Sequence, residues 1–172
     1  SMTRNSFAIT GESRLSQELL ELSREAGIEA VLISDLAELA PVTPVVIETS
    51  ASGVEKKKSI LQRLDLALPA PAVIITSCLG FATTLMASWT AKPERIVGFA
   101  TFYPFKDRKV IELTAGIRTE ETAIRTAEQL FKSIGKETVR VKDTPGLTFP
   151  RILSLIINEA ARSLEEGVAT AE

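Results

Sequence analysis

Short apolar stretches alternate with segments of helical periodicity along most of this chain, and this alternation limits the possible folds more than any other feature. Short runs of apolar and β-branched residues predict strands, and apolar residues three or four positions apart predict helices. The predicted strands are residues 6–10, 29–33, 45–48, 72–76, 96–100, 110–113 and 139–141, and the predicted helices are residues 13–26, 54–68, 81–89 and 119–134. This order is typical of a mostly parallel sheet covered by helices on both faces. We therefore predict an α/β fold.

Three helix boundaries depend on single residues. Gly27 is predicted to stop the first helix, since glycine adopts the left-handed conformation that often follows a helix. Gly53 precedes the second helix. Thr119 is predicted to be the N-cap of the fourth helix, where its hydroxyl would accept a hydrogen bond from a first-turn amide.

The pattern changes after residue 143 to one long helix, residues 149–166. Its apolar residues fall on one stripe, formed by Leu153, Ile156, Ile157, Ala160 and Leu164. Several aliphatic side chains left in water favour association. We expect a homodimer or a complex with a partner protein through residues 149–166, and the alternative is that the helix folds back onto its own sheet.

Composition excludes several classes of function. The chain of 172 residues contains no histidine, which rules out histidine-based acid–base catalysis and histidine ligation of a metal by this chain. With a single cysteine as well, we predict no metal site. The net charge of −2 gives no indication of nucleic acid as a partner, and the apolar runs are too short to span a membrane. The lone cysteine and the lack of a signal-like start favour the cytoplasm.

Three segments resemble the NAD-binding domain of the 3-hydroxyacyl-CoA dehydrogenases. They are VVIETSASGVEKKKSILQRLD (45–65), AKPERIVGFATFYPFKDRKVIEL (91–113) and SIGKETVRVKDTPGLTFPRILSLIINEAARSLEEGVATAE (133–172). The last is the most specific, because the family has a Lys-Asp-Ser-Pro-Gly-Phe turn and an Asn-Arg-Ile-Leu helix start there. The resemblance implies a degenerate Rossmann-like domain in residues 1–145, with residues 146–172 corresponding to the start of the family's helical C-terminal domain.

The family oxidises the 3-hydroxyl of an acyl-CoA with NAD, and the resemblance implies that most of the residues for this reaction are lost. The family's histidine falls on Ala100, its serine on Gly80 and its asparagine on Pro150. The glutamate that pairs with the histidine is retained as Glu112. Acid–base assistance contributes roughly a hundred- to ten-thousand-fold to such reactions. We therefore expect no dehydrogenation by this chain alone.

The cofactor site also departs from the family pattern, at residues other than the catalytic positions. A dinucleotide fingerprint has three glycines at the first strand–helix junction, whereas residues 11–16 read GESRLS and keep only Gly11, which we interpret as vestigial. Ser34 occupies the position of the ribose-binding acid, and Asp35 lies one residue late. Only eleven residues separate Ile33 from Val45, where the family has a few dozen. We predict an N-terminal half that is truncated and binds no NAD.

Three residues remain as candidate substrate contacts, namely Lys57, Ser77 and Cys78. Lys57 matches a lysine of the family, and it could hold phosphates of acyl-CoA together with its neighbours Lys56 and Lys58, or the three lysines could form a solvated helix face. Cys78 follows a strand at the edge where such sheets bind ligands, and it is interpreted as a small buried residue rather than a nucleophile. Glu112 could be exposed in a cleft or ion-paired on the surface.

Three functions are compatible with these features. The first is a degenerate dehydrogenase-like domain that serves as a binding or assembly subunit. The second is an active 3-hydroxyacyl-CoA dehydrogenase component completed by a partner chain, and the third is a module that binds a small ligand or nucleotide. The missing histidine and glycines count against the second.

Overall fold

The computed structural model describes residues 6–78, 80–101 and 104–143. Strands and helices alternate there as the sequence predicts. The order is β1 (Phe7–Thr10), α1 (Arg14–Glu25), β2 (Ala30–Ile33), β3 (Val45–Glu48), α2 (Val54–Ala67), β4 (Val73–Ser77), α3 (Thr83–Ser88), β5 (Ile96–Ala100), β6 (Val110–Ala115), α4 (Glu121–Ser133) and β7 (Glu137–Val141). Short 3-10 turns at Leu36–Glu38, Pro93–Arg95 and Phe105–Asp107 were not predicted.

The strands form one seven-stranded sheet in the order β2-β1-β3-β4-β5-β6-β7. Strands β1 to β5 are parallel to one another, β6 is antiparallel to β5, and β7 is parallel to β6. The prediction of a mostly parallel α/β sheet is therefore confirmed. The carboxyl ends of β1 to β5 consequently meet at one edge of the sheet, which is where ligands bind in open sheets of this kind.

Helices cover both faces of the sheet. Successive residues of each strand alternate between two hydrophobic cores, since side chains of a strand point to opposite faces. Phe7 and Ile9 lie in the core that contains Leu19 of α1 and Phe131 of α4. Ala8, which lies between them, packs in the second core with residues of α2 and α3, namely Leu61, Leu64 and Met86. Burial on both faces explains why the inner strands β1, β3, β4 and β5 are almost continuously apolar.

The structure corrects one predicted helix boundary. Helix α4 has Glu120 as its N-cap, so the prediction for Thr119 is wrong. The Thr119 hydroxyl instead donates to the carbonyl of Ile96 at 2.8 Å and accepts from the amide of Gly116, also at 2.8 Å. A tertiary partner thus takes the hydroxyl that a local cap would have used. Gly27, by contrast, follows α1 with a φ of +70°, as predicted.

The predicted helix at residues 149–166 and the division of the chain at residue 145 fall outside the described residues. The stripe on that helix and the association through it therefore stay predictions, as does the loss at Pro150.

A buried ion pair joins β3 to α2. Lys57 of α2 and Glu48 at the end of β3 are 1% and 0% exposed, and the Lys57 amine donates to the Glu48 carboxylate. The same amine donates to the carbonyl of Ser50 at 2.8 Å, and the Thr76 hydroxyl donates to Glu48 at 2.7 Å. Burial lowers the pKa of Lys57, and the neighbouring carboxylate opposes that shift. The interpretation of Lys57 as part of a solvated helix face is wrong.

Removing the Lys57 charge should destabilise the protein strongly. In Lys57→Met the Glu48 carboxylate remains buried without its cation, which costs about 3–5 kcal/mol in comparable pairs. Urea denaturation followed by circular dichroism measures this free energy of unfolding. The matched control is Lys56→Met, the same change at an exposed neighbour, which should stay within about 0.5 kcal/mol of the parent. Equal losses in the two variants would contradict a structural role for the ion pair.

Candidate functional site

Most of the residues singled out in the sequence lie at the carboxyl edge of the parallel strands. Gly11 follows β1, Ser77 ends β4 with Cys78 directly after it, and Ala100 ends β5. Glu112 joins them through the antiparallel pairing of β6 with β5. The topology thus brings the predicted residues of the N-terminal and C-terminal parts of the domain to one edge of the sheet. Lys57 differs from this set, because its amine is buried and enclosed by Glu48 and Ser50 at the end of β3.

Ala100 and Glu112 are direct partners in the ladder between β5 and β6. Directly opposite residues of an antiparallel pair place their Cβ atoms about 4.5–5.5 Å apart on the same face of the sheet. Both residues are half-buried, and the Oε2 atom of Glu112 is enclosed by the protein. The retained carboxylate therefore faces a methyl group where the resemblance implies an imidazole.

The turn after β4 has lost the features of a polar substrate contact. Cys78 is 1% exposed, and its thiol lies 3.2 Å from the carbonyl of Phe99, to which it donates. This confirms the interpretation of Cys78 as a small buried residue and corrects its assignment as a substrate contact. Gly80 adopts a φ of +88° in an exposed turn. Ser77 is half-buried at the strand end, and its contact with a substrate stays a prediction.

The first strand–helix junction is cross-linked by hydrogen bonds among its own side chains. Ser13 and Ser16 occupy the second and third glycine positions of a dinucleotide fingerprint. Ser13 is the N-cap of α1, where its hydroxyl accepts from the amide of Ser16 at 3.3 Å. Both hydroxyls also contact the Thr49 hydroxyl, at 3.0 and 2.7 Å. The amide of Ser16, which a fingerprint would offer to the pyrophosphate, is thus hydrogen-bonded inside the protein.

Gly11 has a structural reason to be glycine. Its φ is +123°, and a Cβ at this position would lie only 2.2 Å from the Thr49 hydroxyl oxygen. Its carbonyl also accepts a hydrogen bond from the Ser16 hydroxyl at 2.7 Å. The close approach of β1 to the end of β3 therefore requires glycine here even without a bound dinucleotide.

A cavity of about 910 Å³ opens at the carboxyl ends of β1, β2 and β3. Its walls come from three places: the junction at residues 10–13, the turn at residues 34–36, and the first turns of α2 with the loop at residues 50–52. Lys56 and Arg63 of α2 line it, and the sequence prediction missed Arg63. The helical spacing could have identified Arg63, because Lys56, Ile60 and Arg63 lie on one face of a helix.

Neither a metal site nor a membrane-spanning helix is present in the described ranges. Among residues 6–78, 80–101 and 104–143, no group of three or more His, Cys, Asp or Glu side chains is placed to hold a metal ion. The helices of the same ranges are too short or too polar to cross a membrane.

The family model and the relatives found by sequence comparison indicate the same family. Residues 10–144 match the model of the 3-hydroxyacyl-CoA dehydrogenase NAD binding domain. The chain is 32% identical over 128 residues to a 3-hydroxybutyryl-CoA dehydrogenase of Clostridioides difficile, covering 74% of this chain and 46% of that protein. It is 30% identical over 145 residues to a probable 3-hydroxybutyryl-CoA dehydrogenase of Bacillus subtilis, covering 84% of this chain and 50% of that protein.

Solved structures support the same fold. The crystal structure of (S)-3-hydroxybutyryl-CoA dehydrogenase from Ralstonia eutropha is similar with a TM-score of 0.71 and 22% identity, covering 98% of this chain and 74% of that one. The chain spans about half the length of the two relatives compared by sequence. The fold, the matched domain model and the sequence identity together show that this chain belongs to the 3-hydroxyacyl-CoA dehydrogenase family.

Proposed function

We propose that this chain is a binding member of the family that does not itself catalyse dehydrogenation. The pairing of Ala100 with Glu112 carries this proposal. Oxidation of a 3-hydroxyl requires a group that accepts the hydroxyl proton, and an alanine methyl cannot accept one. The chain contains no histidine elsewhere that could take over this role. Glu112 alone is a weak candidate, because it lies on the adjacent strand with one oxygen enclosed.

The junction after β1 supports loss of NAD binding for a separate reason. The Ser13 hydroxyl already caps α1, and Ser13 and Ser16 stand where a fingerprint has glycines that let the backbone approach a pyrophosphate and the helix pack on the strand. Glu12 is exposed beside the start of the same helix. Its carboxylate would repel a pyrophosphate placed there.

An active role within a complex is the second candidate, and the retained Glu112 favours it. A partner chain would then have to supply both the proton acceptor and the groups that hold the cofactor. An assembly role would use the stripe on residues 149–166, which stays a prediction. We favour a binding role because the described residues offer a cavity of about 910 Å³ at the ligand-binding edge of the sheet.

The isolated chain should neither oxidise 3-hydroxyacyl-CoA nor bind NADH tightly. With NAD⁺ and (S)-3-hydroxybutyryl-CoA, the absorbance of NADH should not rise above a blank without protein. Calorimetric titration with NADH should give no dissociation constant at or below the tens of micromolar, about −6 to −7 kcal/mol. NADH production that disappears in the Glu112→Gln variant would overturn the proposal.

Restoring the histidine alone should not restore activity. Ala100→His would place an imidazole opposite Glu112, yet Ser13 and Ser16 would still stand where a dinucleotide fingerprint has glycines. We expect no turnover in the same assay. Ala100→Gln is the matched control, since it adds a side chain of similar length that is not a proton acceptor near neutral pH. Turnover by the histidine variant alone, with both variants folded by circular dichroism, would show that the cofactor site is intact.

A further inference from the structure

The amine of Lys136, between α4 and β7, is buried and enclosed by backbone carbonyls. Lys136 is 5% exposed. Its amine donates hydrogen bonds to the carbonyls of Phe105 at 2.6 Å, Lys106 at 3.1 Å and Arg108 at 2.6 Å. These three carbonyls, called the loop site below, belong to the loop at residues 104–109, which leads into β6. An ammonium group has three protons, so one loop takes all of them.

The direct contacts of this cation are neutral groups. Besides the three carbonyl oxygens, the amine lies 4.5 Å from the centre of the Phe105 ring, whose face attracts cations. Burial lowers the pKa of Lys136, and the charges of Glu18 and Asp107 oppose that shift. Neutral oxygen ligands suit a monovalent cation, because Ca²⁺ and Mg²⁺ are bound with carboxylates that balance their double charge.

The loop site is held from two sides. Gly135 follows α4 with a φ of +86°, and the Lys136 amide then donates to the carbonyl of Phe131 at 2.9 Å. This chain reversal directs the Lys136 side chain to the loop. On its other side the loop is attached to α1, because the Phe105 amide donates to the Glu18 carboxylate at 2.8 Å.

The spacing of the loop site also fits a large monovalent ion. Its amine-to-oxygen distances of 2.6, 3.1 and 2.6 Å lie at or above the roughly 2.3–2.6 Å of Ca²⁺ ligands. They are well above the roughly 2.0–2.1 Å of Mg²⁺ ligands. Ammonium is the same chemical group as the head of Lys136, and potassium is the metal ion whose hydration shell backbone carbonyls replace in selective channels.

We propose that the loop site is a binding site for a monovalent cation of the ammonium or potassium class, and that Lys136 fills it with a cation attached to the chain. An attached amine is not captured from solution, so the loop keeps its shape whatever ions are present. The loop lies between β5, which ends at Ala100, and β6, which carries Glu112. The tethered cation therefore holds the connection between the two strands of the candidate site. The inference goes beyond the proposed binding function and does not depend on it.

Removing the amine should make the stability of the protein depend on the cation in solution. In the full chain with Lys136→Ala, the carbonyls remain and the cation is lost. We expect this variant to melt about 2–4 °C higher in potassium or ammonium chloride than in tetramethylammonium chloride of equal ionic strength, because a bound cation stabilises the folded state. The parent should melt at one temperature in all three salts. Circular dichroism measures the melting, and a variant that responds to the salts like the parent would overturn the proposal.

Two further variants separate the loop site from general effects of salt. Lys109→Ala removes the same charge from an exposed lysine of the same loop, and it should respond to the three salts like the parent. Lys136→Met fills the space of the amine with an uncharged side chain, so it should be less stable than the parent and show no preference for potassium. A preference for potassium in either of these variants, as large as that of Lys136→Ala, would refute the assignment.

Refolding covers the case in which Lys136→Ala does not fold in tetramethylammonium chloride. Dilution of the unfolded variant from urea should then recover the folded circular dichroism signal in potassium or ammonium chloride. A variant that stays unfolded in all three salts would contradict the proposal, since the carbonyls would not bind a free cation.

Discussion

The carboxylate of Glu48 is the group on which the ligand-binding edge of this protein depends. It is fully buried at the end of β3 and accepts hydrogen bonds from Ser50, Lys57 and Thr76. These donors belong to the loop at residues 50–52, to α2 and to β4, so one side chain connects three elements. A buried carboxylate is costly unless it is paired and fully hydrogen-bonded. Its partners are therefore held together, and the part of the cavity wall formed by residues 50–52 and α2 is held with them.

Much of the fold could be predicted from the sequence because burial on both faces leaves a strong pattern of apolar strands. The environments of individual polar residues were harder to predict, since their hydrogen-bonding partners are distant in sequence. Lys57 illustrates this, because three consecutive lysines look like a solvated helix face. Successive helical residues are about 100° apart, so Lys56 faces the cavity while Lys57 reaches the buried Glu48. Which of these lysines is buried depends only on where β3 packs against α2.

The candidate site was predictable to a similar extent. Family resemblance identified Ala100 and Glu112, and the strand register brings them together as that resemblance implies. The thiol of Cys78 could be interpreted as buried from the lack of any histidine to activate it. The cavity, however, is built from loops after three different strands, which no local pattern in the sequence connects. The helical spacing places Lys56 and Arg63 on one face of α2, and the fold shows that this face lines a cavity.

The burial of Cys78 has a practical consequence. It is the only cysteine of the chain, it is 1% exposed, and its sulfur lies against the Phe99 carbonyl between β4 and β5. A thiol reagent can reach it only after the protein opens at the carboxyl end of β4, so its modification rate reports how often this part of the native structure opens. The chain thus carries a built-in reporter of native-state opening that requires neither an introduced label nor a denaturant.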